Sequence, residues 1–297
     1  MISTSSQVSP LRAWLTATRP KTLSAAVIPV MVGTVLAARD GLSHWPSAVL
    51  ALLGAIAIQV GTNLHNDVSD FERCTDDEAR LGPPRAAQMG WLTPRALRIG
   101  TLVAFGLAVV AGSWLMWRGG WPIVGIGVLS ILSGLAYTGG PAPLAYVGIA
   151  DFFVFLFFGV VAVAGTYYVQ ALALTSDVLL AGSAFGLLST AILVVNNLRD
   201  REGDARSKKR TLVVRFGTRF GHLEYLLCLA GAFGLFAAMA QTDPGLWITW
   251  AGVPFAVVAS HRIVTLAPEQ LNPWLGRTAA LVALEGLLFV VGVLWSS

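Results

Sequence analysis

Nine apolar runs, separated by turns or charged loops, constrain this chain more than any other feature of its sequence. Their predicted bounds are residues 23–38, 48–65, 97–117, 121–137, 147–169, 178–198, 223–240, 246–266 and 278–295. Each run is close to the ~20 residues that an α-helix needs to cross a ~30 Å hydrocarbon core. Hydrophobic residues make up 55% of the chain and charged residues only 12%, which excludes an ordinary soluble domain. The pattern predicts an all-α polytopic membrane protein with nine spans.

The placement of lysine and arginine predicts the orientation in the membrane. With the amino terminus inside, 18 of the 20 Lys and Arg residues fall on the cytosolic side, and only Arg39 and Arg118 fall outside. Because nine is an odd number, the carboxyl terminus is predicted to be external. Residues 1–10 are polar and lack the apolar core of a signal peptide, so we expect no cleavable leader.

A cluster of amide and carboxylate side chains ends the second apolar run. If the helix continues through it, Asn63, Asn66, Asp67 and Asp70 fall at i, i+3, i+4 and i+7, which share one helix face. Oxygen ligands of this kind suit a hard cation such as Mg²⁺. Acidic groups at a helix carboxyl terminus are unfavourable with the helix dipole, so we expect compensating cations nearby.

A second cluster ends the sixth run, with Asn197, Asp200 and Asp204 at i, i+3 and i+7. Runs two and six lie four spans apart and cross in the same direction, so both clusters emerge on the same side. We expect the two faces to meet across one cavity and to hold two or three Mg²⁺ ions that bridge a diphosphate. The matching clusters indicate that residues 1–297 form a single domain, with an internal pseudo-repeat of roughly 20–145 and 146–297.

Basic, aromatic and isolated polar residues near these clusters are candidates for binding substrates. Arginine offers phosphate a bidentate fork, and aromatic ring faces can stabilise a carbocation. Each kind of residue also has an alternative explanation that remains open. The basic residues could anchor the chain at lipid headgroups, the isolated acid could lie at a helix amino terminus, and the aromatic residues could lie at the membrane interface. The candidates for binding a diphosphate are Arg80, Arg85, Lys209 and Arg210. The candidates for binding a second substrate, the acceptor of a transferred group, or for stabilising a carbocation are Lys21, Asn63, Tyr137, Asp151 and Tyr168.

Several stretches resemble the UbiA-type intramembrane prenyltransferase superfamily. Residues 66–70 and 200–204 are similar to its two Asp-rich motifs. Other stretches resemble the branch that prenylates 1,4-dihydroxy-2-naphthoate in menaquinone synthesis, and they are residues 19–23, 80–85, 136–141, 165–170, 196–200 and 209–215. The resemblance covers nearly the whole chain.

The resemblance implies a nine-helix ring around a central cavity, capped by two cytosolic loops, in the plasma membrane of a bacterium. It implies Mg²⁺, a polyprenyl diphosphate donor and 1,4-dihydroxy-2-naphthoate as acceptor, with loss of CO₂ to give demethylmenaquinone. No nucleic acid or protein partner is implied. The implied metal ligands are Asn66, Asp67, Asp70, Asp76, Asn197, Asp200 and Asp204, and their carboxylates at positions 67, 70, 200 and 204 are assigned to catalysis.

Two alternatives differ in their chemistry. A prenyltransferase of another branch would take 4-hydroxybenzoate or homogentisate as the acceptor. A cation-coupled transporter would also carry intramembrane acids and amides, but it would be expected to place them at broken helices near the midplane. Here the acids cluster at one membrane face, which favours the prenyltransferase.

Overall fold

A computed structural model describes residues 8–73, 81–141 and 143–296, apart from the side chain of Lys21. Within those residues the fold is helical and contains no β-strand. The α-helices are α1 (Pro10–Thr18), α2 (Ser24–Arg39), α3 (Trp45–Glu72), α4 (Pro94–Gly119), α5 (Trp121–Thr138), α6 (Leu144–Val147), α7 (Ala150–Phe155), α8 (Ala162–Ala171), α9 (Ser176–Arg206), α10 (Leu212–Phe216), α11 (Thr218–Met239), α12 (Val253–Thr265) and α13 (Asn272–Ser296). A π-helical segment, Leu156–Val161, joins α7 to α8, and 3₁₀ helices occupy Pro20–Thr22, Pro244–Gly252 and Pro268–Gln270.

Threonine, proline and glycine fix where the long helices begin. The Thr93 hydroxyl oxygen accepts a hydrogen bond from the Ala96 N–H at 3.1 Å, and Pro94 follows as the first residue of α4. Gly120, with φ of 70°, lets the chain reverse between α4 and α5. These local signals explain why predicted runs three and four agree with the observed helices.

Seven helical segments of the described chain are long and apolar enough to cross a membrane. They are α3, α4, α5, the continuous segment Ala150–Ala171, α9, α11 and α13. The other two predicted spans are not single α-helices of that length. The first corresponds to α2, which has 16 residues, and the eighth is divided between the 3₁₀ helix Pro244–Gly252 and α12.

Helices α3 and α9 continue beyond the apolar runs that predict them. They end at Glu72 and Arg206, so both acidic clusters are helical along their whole length. Hydropathy marks where the apolar surface ends, but backbone hydrogen bonding continues through polar residues until a cap or turn stops it. The assumed helical spacing of the clusters is therefore observed.

Helix α9 is the most enclosed of the long helices. Within its apolar window 67% of residues are buried, compared with 17% for α5. It packs against α7, the π-helical segment, α11 and α13. At this crossing the backbones approach closely, because a Cβ built on Gly159 would lie only 2.2 Å from Gly186 Cα.

An ionic cluster joins helix ends on the side opposite to the acidic motifs. Arg39 donates from Nε to Asp40 Oδ1 at 2.9 Å and from Nη2 to Asp177 Oδ2 at 3.2 Å. The Tyr167 hydroxyl donates to Asp40 Oδ2 at 2.7 Å. Burial alone would raise the pKa of Asp40, but the hydrogen bonds from Arg39 and Tyr167 and the arginine charge outweigh it and lower the pKa. Asp40 and Asp177 therefore join the ends of α2, α8 and α9 through Arg39 and Tyr167.

The close approach at Gly159 predicts the effect of a single methyl group. We expect Gly159→Ala to lower the free energy of unfolding by roughly 1–3 kcal/mol, because the added carbon meets backbone atoms that cannot move aside. Gly106→Ala on α4 is the matched control, since a Cβ there meets nothing within 4 Å. Thermal unfolding of both variants in detergent measures the difference, and equal stability would contradict this packing.

Candidate active site

The two acidic clusters lie on either side of a single lysine. The ammonium nitrogen of Lys209 is 3.8 Å from Asp70 Oδ1, near the end of α3, and 3.8 Å from Asp204 Oδ1, near the end of α9. Only 14% of the lysine side chain and 1% of the Asp70 side chain are exposed, so water screens these charges incompletely. The two helix faces therefore share a contact with Lys209, and the cavity predicted between them stays a prediction.

Arg85, in the segment between α3 and α4, pairs with the first cluster. Its guanidinium donates from Nη2 to Asp70 Oδ2 and from Nη1 to the Asn66 carbonyl at 3.2 Å. The Asn66 side-chain oxygen accepts from the Thr138 hydroxyl at 2.7 Å, which ties α3 to the end of α5. Asp70 therefore faces two cations, Arg85 and Lys209, which supply the compensation expected for an acid at a helix carboxyl terminus.

Asp67 has different partners from those expected of a metal ligand. Its two carboxylate oxygens accept the backbone N–H groups of Ala86 at 3.0 Å and Ala87 at 3.2 Å. These N–H groups belong to the turn from Arg85 to Gly90. The buried Asp67 carboxylate accepts their hydrogen bonds in the same way that a capping side chain accepts the first N–H groups of a helix. These contacts give Asp67 a role in holding the turn that carries Arg85, and its sequence-based assignment as a metal ligand stays a prediction.

The second cluster carries its own counter-ion. The Arg199 guanidinium forks onto Asp200, with Nε 2.8 Å from Oδ1 and Nη2 2.6 Å from Oδ2. The same group donates to Asn196 Oδ1 at 2.8 Å and to Asn272 Oδ1 at 2.8 Å. Asn272, at the start of α13, also donates from Nδ2 to the Leu81 carbonyl. The segment before α4, helix α9 and helix α13 are thus tied together beside Asp200.

A turn after α9 brings Lys209 back over the end of that helix. Lys208 has φ of 60°, in the left-handed region, and the N–H groups of both lysines return to carbonyls in the last turn of α9. The Arg210 N–H then donates to the Tyr146 carbonyl at 3.1 Å and docks the turn onto α6. The Tyr146 ring centroid lies 5.5 Å from the Lys209 ammonium nitrogen.

A largely apolar cavity of about 210 Å³ lies between α2, α3, α4, α5 and the segment Ala150–Ala171. Its lining includes Thr62 of α3, Tyr137 of α5, and Phe153 and Phe157 from the segment that starts at Ala150. Thr62 precedes Asn66 by about one helical turn, so the cavity approaches the first acidic cluster. Such a wall can hold an apolar chain and keep water from a reactive group.

Asp151 is buried in the first turn of α7. Neither of its carboxylate oxygens has a hydrogen-bond partner within the described ranges. It interacts electrostatically with Tyr137 and with Glu224 of α11, and Tyr137 interacts in the same way with the acids of both clusters. A buried carboxylate without a partner is costly unless it is neutral or meets a cation, which makes Asp151 a candidate for contact with a reacting molecule.

Two predicted residues are placed away from this group. Asn63 donates from Nδ2 to the Thr18 carbonyl at 2.9 Å and to Thr22 Oγ1 at 3.0 Å, so it fastens α3 to the amino-terminal segment. The Tyr168 hydroxyl donates to the Gly119 carbonyl at 3.1 Å. That bond joins the ends of α8 and α4 that lie far from the acidic clusters, so the structure does not bring Tyr168 to the site.

For four other predicted residues, the described structure shows no side-chain contact at the site. Arg210 contributes its backbone N–H to the loop, while its side chain is exposed. Asp76 and Arg80 lie outside the described residues. Of Lys21 only the backbone is described, within the 3₁₀ helix Pro20–Thr22.

Sequence reasoning missed residues that organise the site through long-range contacts. They are Thr138, Tyr146, Arg199 and Asn272. Arg199 lies inside the family-like stretch 196–200, and an arginine beside an acid at the end of an apolar run is a signal that could have identified it. The others contact partners more than 60 positions away in the chain, and no local pattern marks such contacts.

The donor set fits Mg²⁺ held jointly with a substrate. Asp70 and Asp204 each lie 3.8 Å from the Lys209 ammonium nitrogen, and Asp200 is one helical turn from Asp204 on α9. The Asn197 amide is buried with no partner for Nδ2 in the part of the chain that is described. Among the described residues, no three His, Cys, Asp or Glu side chains form a ready-made metal cluster. Mg²⁺ is ordinarily bound by one or two carboxylates, waters and substrate phosphates, so separated carboxylates suffice.

Comparison with known proteins agrees with this arrangement. The UbiA prenyltransferase family matches residues 26–291 of the chain. The 1,4-dihydroxy-2-naphthoate octaprenyltransferase of Mycobacterium leprae is 40% identical over 285 residues, covering 94% of this chain and 97% of the relative. The protein of the same name from Escherichia coli (strain K12) is 35% identical over 307 residues, covering 99% of this chain and 98% of the relative.

The fold also has a solved counterpart. The structure of a UbiA homolog from Archaeoglobus fulgidus, bound to GPP and Mg²⁺, matches with a TM-score of 0.64 and 16% sequence identity. The match covers 94% of this chain and 99% of that chain, which shows a shared fold. With a family match over most of the sequence and relatives of nearly full length, the conclusion is that the chain belongs to the UbiA prenyltransferase family.

Proposed function

We propose that this protein transfers a polyprenyl group from polyprenyl diphosphate to 1,4-dihydroxy-2-naphthoate, with loss of the acceptor carboxylate as CO₂. The observation that carries the proposal is the meeting of both acidic clusters with Arg85 and Lys209 near an apolar cavity. The relatives named octaprenyltransferase support the choice of acceptor. The solved homolog bound to GPP and Mg²⁺ supports the choice of donor and ion.

The residues of the site divide the work of ionising the diphosphate. Mg²⁺ would be held by the acids at positions 70, 200 and 204, with help from the amides at positions 66 and 197, and would neutralise the leaving diphosphate. Arg85 and Lys209 would donate hydrogen bonds to its oxygens. The apolar cavity would hold the prenyl chain and exclude the water that would otherwise trap the allylic cation.

The transfer itself needs positioning more than a strong base. The carbon–oxygen bond of the allylic diphosphate breaks, and the electron-rich ring of the hydroxynaphthoate forms a carbon–carbon bond to the cation. Attack from the ring carbon that bears the carboxylate lets CO₂ leave, and the electrons of the broken bond restore the aromatic ring. Tyr137, which lines the cavity, and Asp151, which interacts electrostatically with it, would contact the acceptor or the cation.

We further infer that all nine apolar segments cross the membrane as a ring around the cavity, with the amino terminus and the site on the cytosolic side. The 3₁₀ helix Pro244–Gly252 leads directly into α12, so the two together reach the length of one span. The placement of 18 of 20 Lys and Arg residues on one side supports the orientation. The family assignment leaves the transporter alternative without support.

Cysteine labelling tests the orientation. In a chain whose Cys74 and Cys228 are replaced by alanine, we expect Ser207→Cys to react with a membrane-impermeant thiol reagent only after the cells are opened. The matched variant Ser43→Cys, in the exposed loop between α2 and α3, should react in intact cells. The reverse pattern would overturn the proposed topology.

Neutralising the acids tests the site. We expect Asp70→Asn and Asp200→Asn each to reduce Mg²⁺-dependent release of diphosphate by ~100-fold or more, because each removes a carboxylate that would hold the Mg²⁺ that neutralises the leaving group. Glu202→Gln, an exposed acid beside Asp200, is the matched control and should keep nearly full activity. Folding is checked by thermal unfolding. An active Asp70→Asn protein with unchanged Mg²⁺ dependence would remove the basis for this site.

Acceptor competition tests the branch of the family. Purified protein is given polyprenyl diphosphate, Mg²⁺ and 1,4-dihydroxy-2-naphthoate labelled in its carboxylate, and both the lipid product and CO₂ are followed. We expect unlabelled lipid product and labelled CO₂ in equal amounts, with little product from 4-hydroxybenzoate or homogentisate. Preference for either of those acceptors, or a product that keeps the labelled carboxylate, would place the protein in another branch.

A further inference from the structure

The ammonium group of Lys209 lies where a cation shared by the two clusters would be expected. It is equally close to Asp70 and Asp204, at 3.8 Å from one oxygen of each. Mg²⁺ held by these carboxylates would compete with the ammonium group for the same oxygens, because both are cations and repel each other.

Tyr146 supports the lysine from the other side. Its ring centroid is 5.5 Å from the Lys209 ammonium nitrogen and 5.4 Å from the Arg73 guanidinium carbon, and both cations face the ring. Arg73 also donates to the Gly140 carbonyl at 2.5 Å, just after the end of α5. The Tyr146 carbonyl accepts the Arg210 N–H, so the residue after Lys209 in the chain and the lysine's ammonium group both contact Tyr146.

We propose that Tyr146 is a positioning residue that holds Lys209 between the two acidic clusters as an internal counter-ion, and that Lys209 leaves this position when Mg²⁺ and a diphosphate bind. The identity of the ion and of the diphosphate rests on the proposed function. The lysine has a flexible four-carbon stem, so its ammonium group can leave the carboxylates while the backbone turn stays docked on Tyr146.

This arrangement couples the two ligands. In the absence of a diphosphate, Mg²⁺ must displace the ammonium group from its carboxylates, which weakens metal binding. A bound diphosphate offers the ammonium group new acceptors, so it draws Lys209 away and strengthens Mg²⁺ binding at the same time. The Lys209 side chain therefore weakens the binding of Mg²⁺ alone and strengthens the binding of Mg²⁺ together with the diphosphate.

Calorimetric titration of the full-length protein in lipid nanodiscs separates these effects. The first titration uses Mg²⁺ alone, and the second uses inorganic diphosphate at saturating Mg²⁺. We expect Lys209→Gln to bind Mg²⁺ alone about fivefold more tightly, because the competing charge is gone, and to bind diphosphate about fivefold more weakly. A role for Lys209 in structure alone would not change the two affinities in opposite directions.

The neighbouring lysine supplies the matched control. Lys208 carries the same charge, is exposed, and makes none of the contacts described for Lys209, so Lys208→Gln should change neither affinity by more than about twofold. Tyr146→Phe keeps the ring and should behave like the unchanged protein. Tyr146→Leu removes the ring and should shift both affinities in the direction of Lys209→Gln, but by only about twofold to threefold.

The outcomes distinguish this inference from the proposed function. If the unchanged protein binds neither Mg²⁺ nor the diphosphate, the proposed function fails. If it binds both, but Lys209→Gln binds Mg²⁺ no more tightly than Lys208→Gln does, the counter-ion role of Lys209 is wrong. If Tyr146→Leu is folded and matches Tyr146→Phe in both titrations, the positioning role of Tyr146 is wrong.

Discussion

Carboxylates at the carboxyl ends of two long helices, one of them fully buried, require positive charge nearby, and the end of this fold that carries both acidic clusters meets that requirement. A carboxylate left unpaired away from water costs several kcal/mol, and the helix dipole adds to the cost. Asp70 is met by Arg85 and Lys209, Asp200 by Arg199, and the acid at position 204 by Lys209. Each of these three cations comes from a different segment of the chain, so charge pairing assembles the site from separate parts.

The same pairing connects structure to catalysis. The arginine and lysine side chains that neutralise the acids before any ligand binds can bind a polyanion afterwards. When Mg²⁺ and a diphosphate bind, Mg²⁺ would take the carboxylates and the diphosphate would take the basic side chains. Asp67 and Asn272 serve this arrangement indirectly. Asp67 holds the turn that carries Arg85, and Asn272 links Arg199 to the backbone before α4. The opposite end of the helices is fastened by a separate ionic cluster around Arg39.

Much of the fold and part of the site could be predicted from sequence because they depend on local patterns. Hydropathy located the long helices, and helical spacing placed the two acidic clusters correctly on one face each. Hydropathy does not distinguish an α-helix from the 3₁₀ segment Pro244–Gly252, so it did not predict that the eighth run is divided between two kinds of helix. It also gave no sign of α1, whose helical pattern lies within a polar terminus.

The roles of individual side chains were harder to predict than their location. Asp67 and Asp70 are three residues apart on one face, yet one holds a backbone turn and the other meets two cations. That difference is set by loop residues that return to the helix end, and loop paths are not encoded in helical spacing. The contribution of Tyr146 depends on the same kind of long-range contact.

A double-mutant cycle can show whether the two acidic clusters act on one metal–diphosphate site. The quantity measured is the affinity for Mg²⁺ at saturating inorganic diphosphate in Asp70→Asn, Asp204→Asn and the protein that carries both substitutions. If both acids hold the same site, the double substitution should weaken binding by much less than the two single effects combined. Additive effects would mean that the clusters bind independently, which would contradict a shared site.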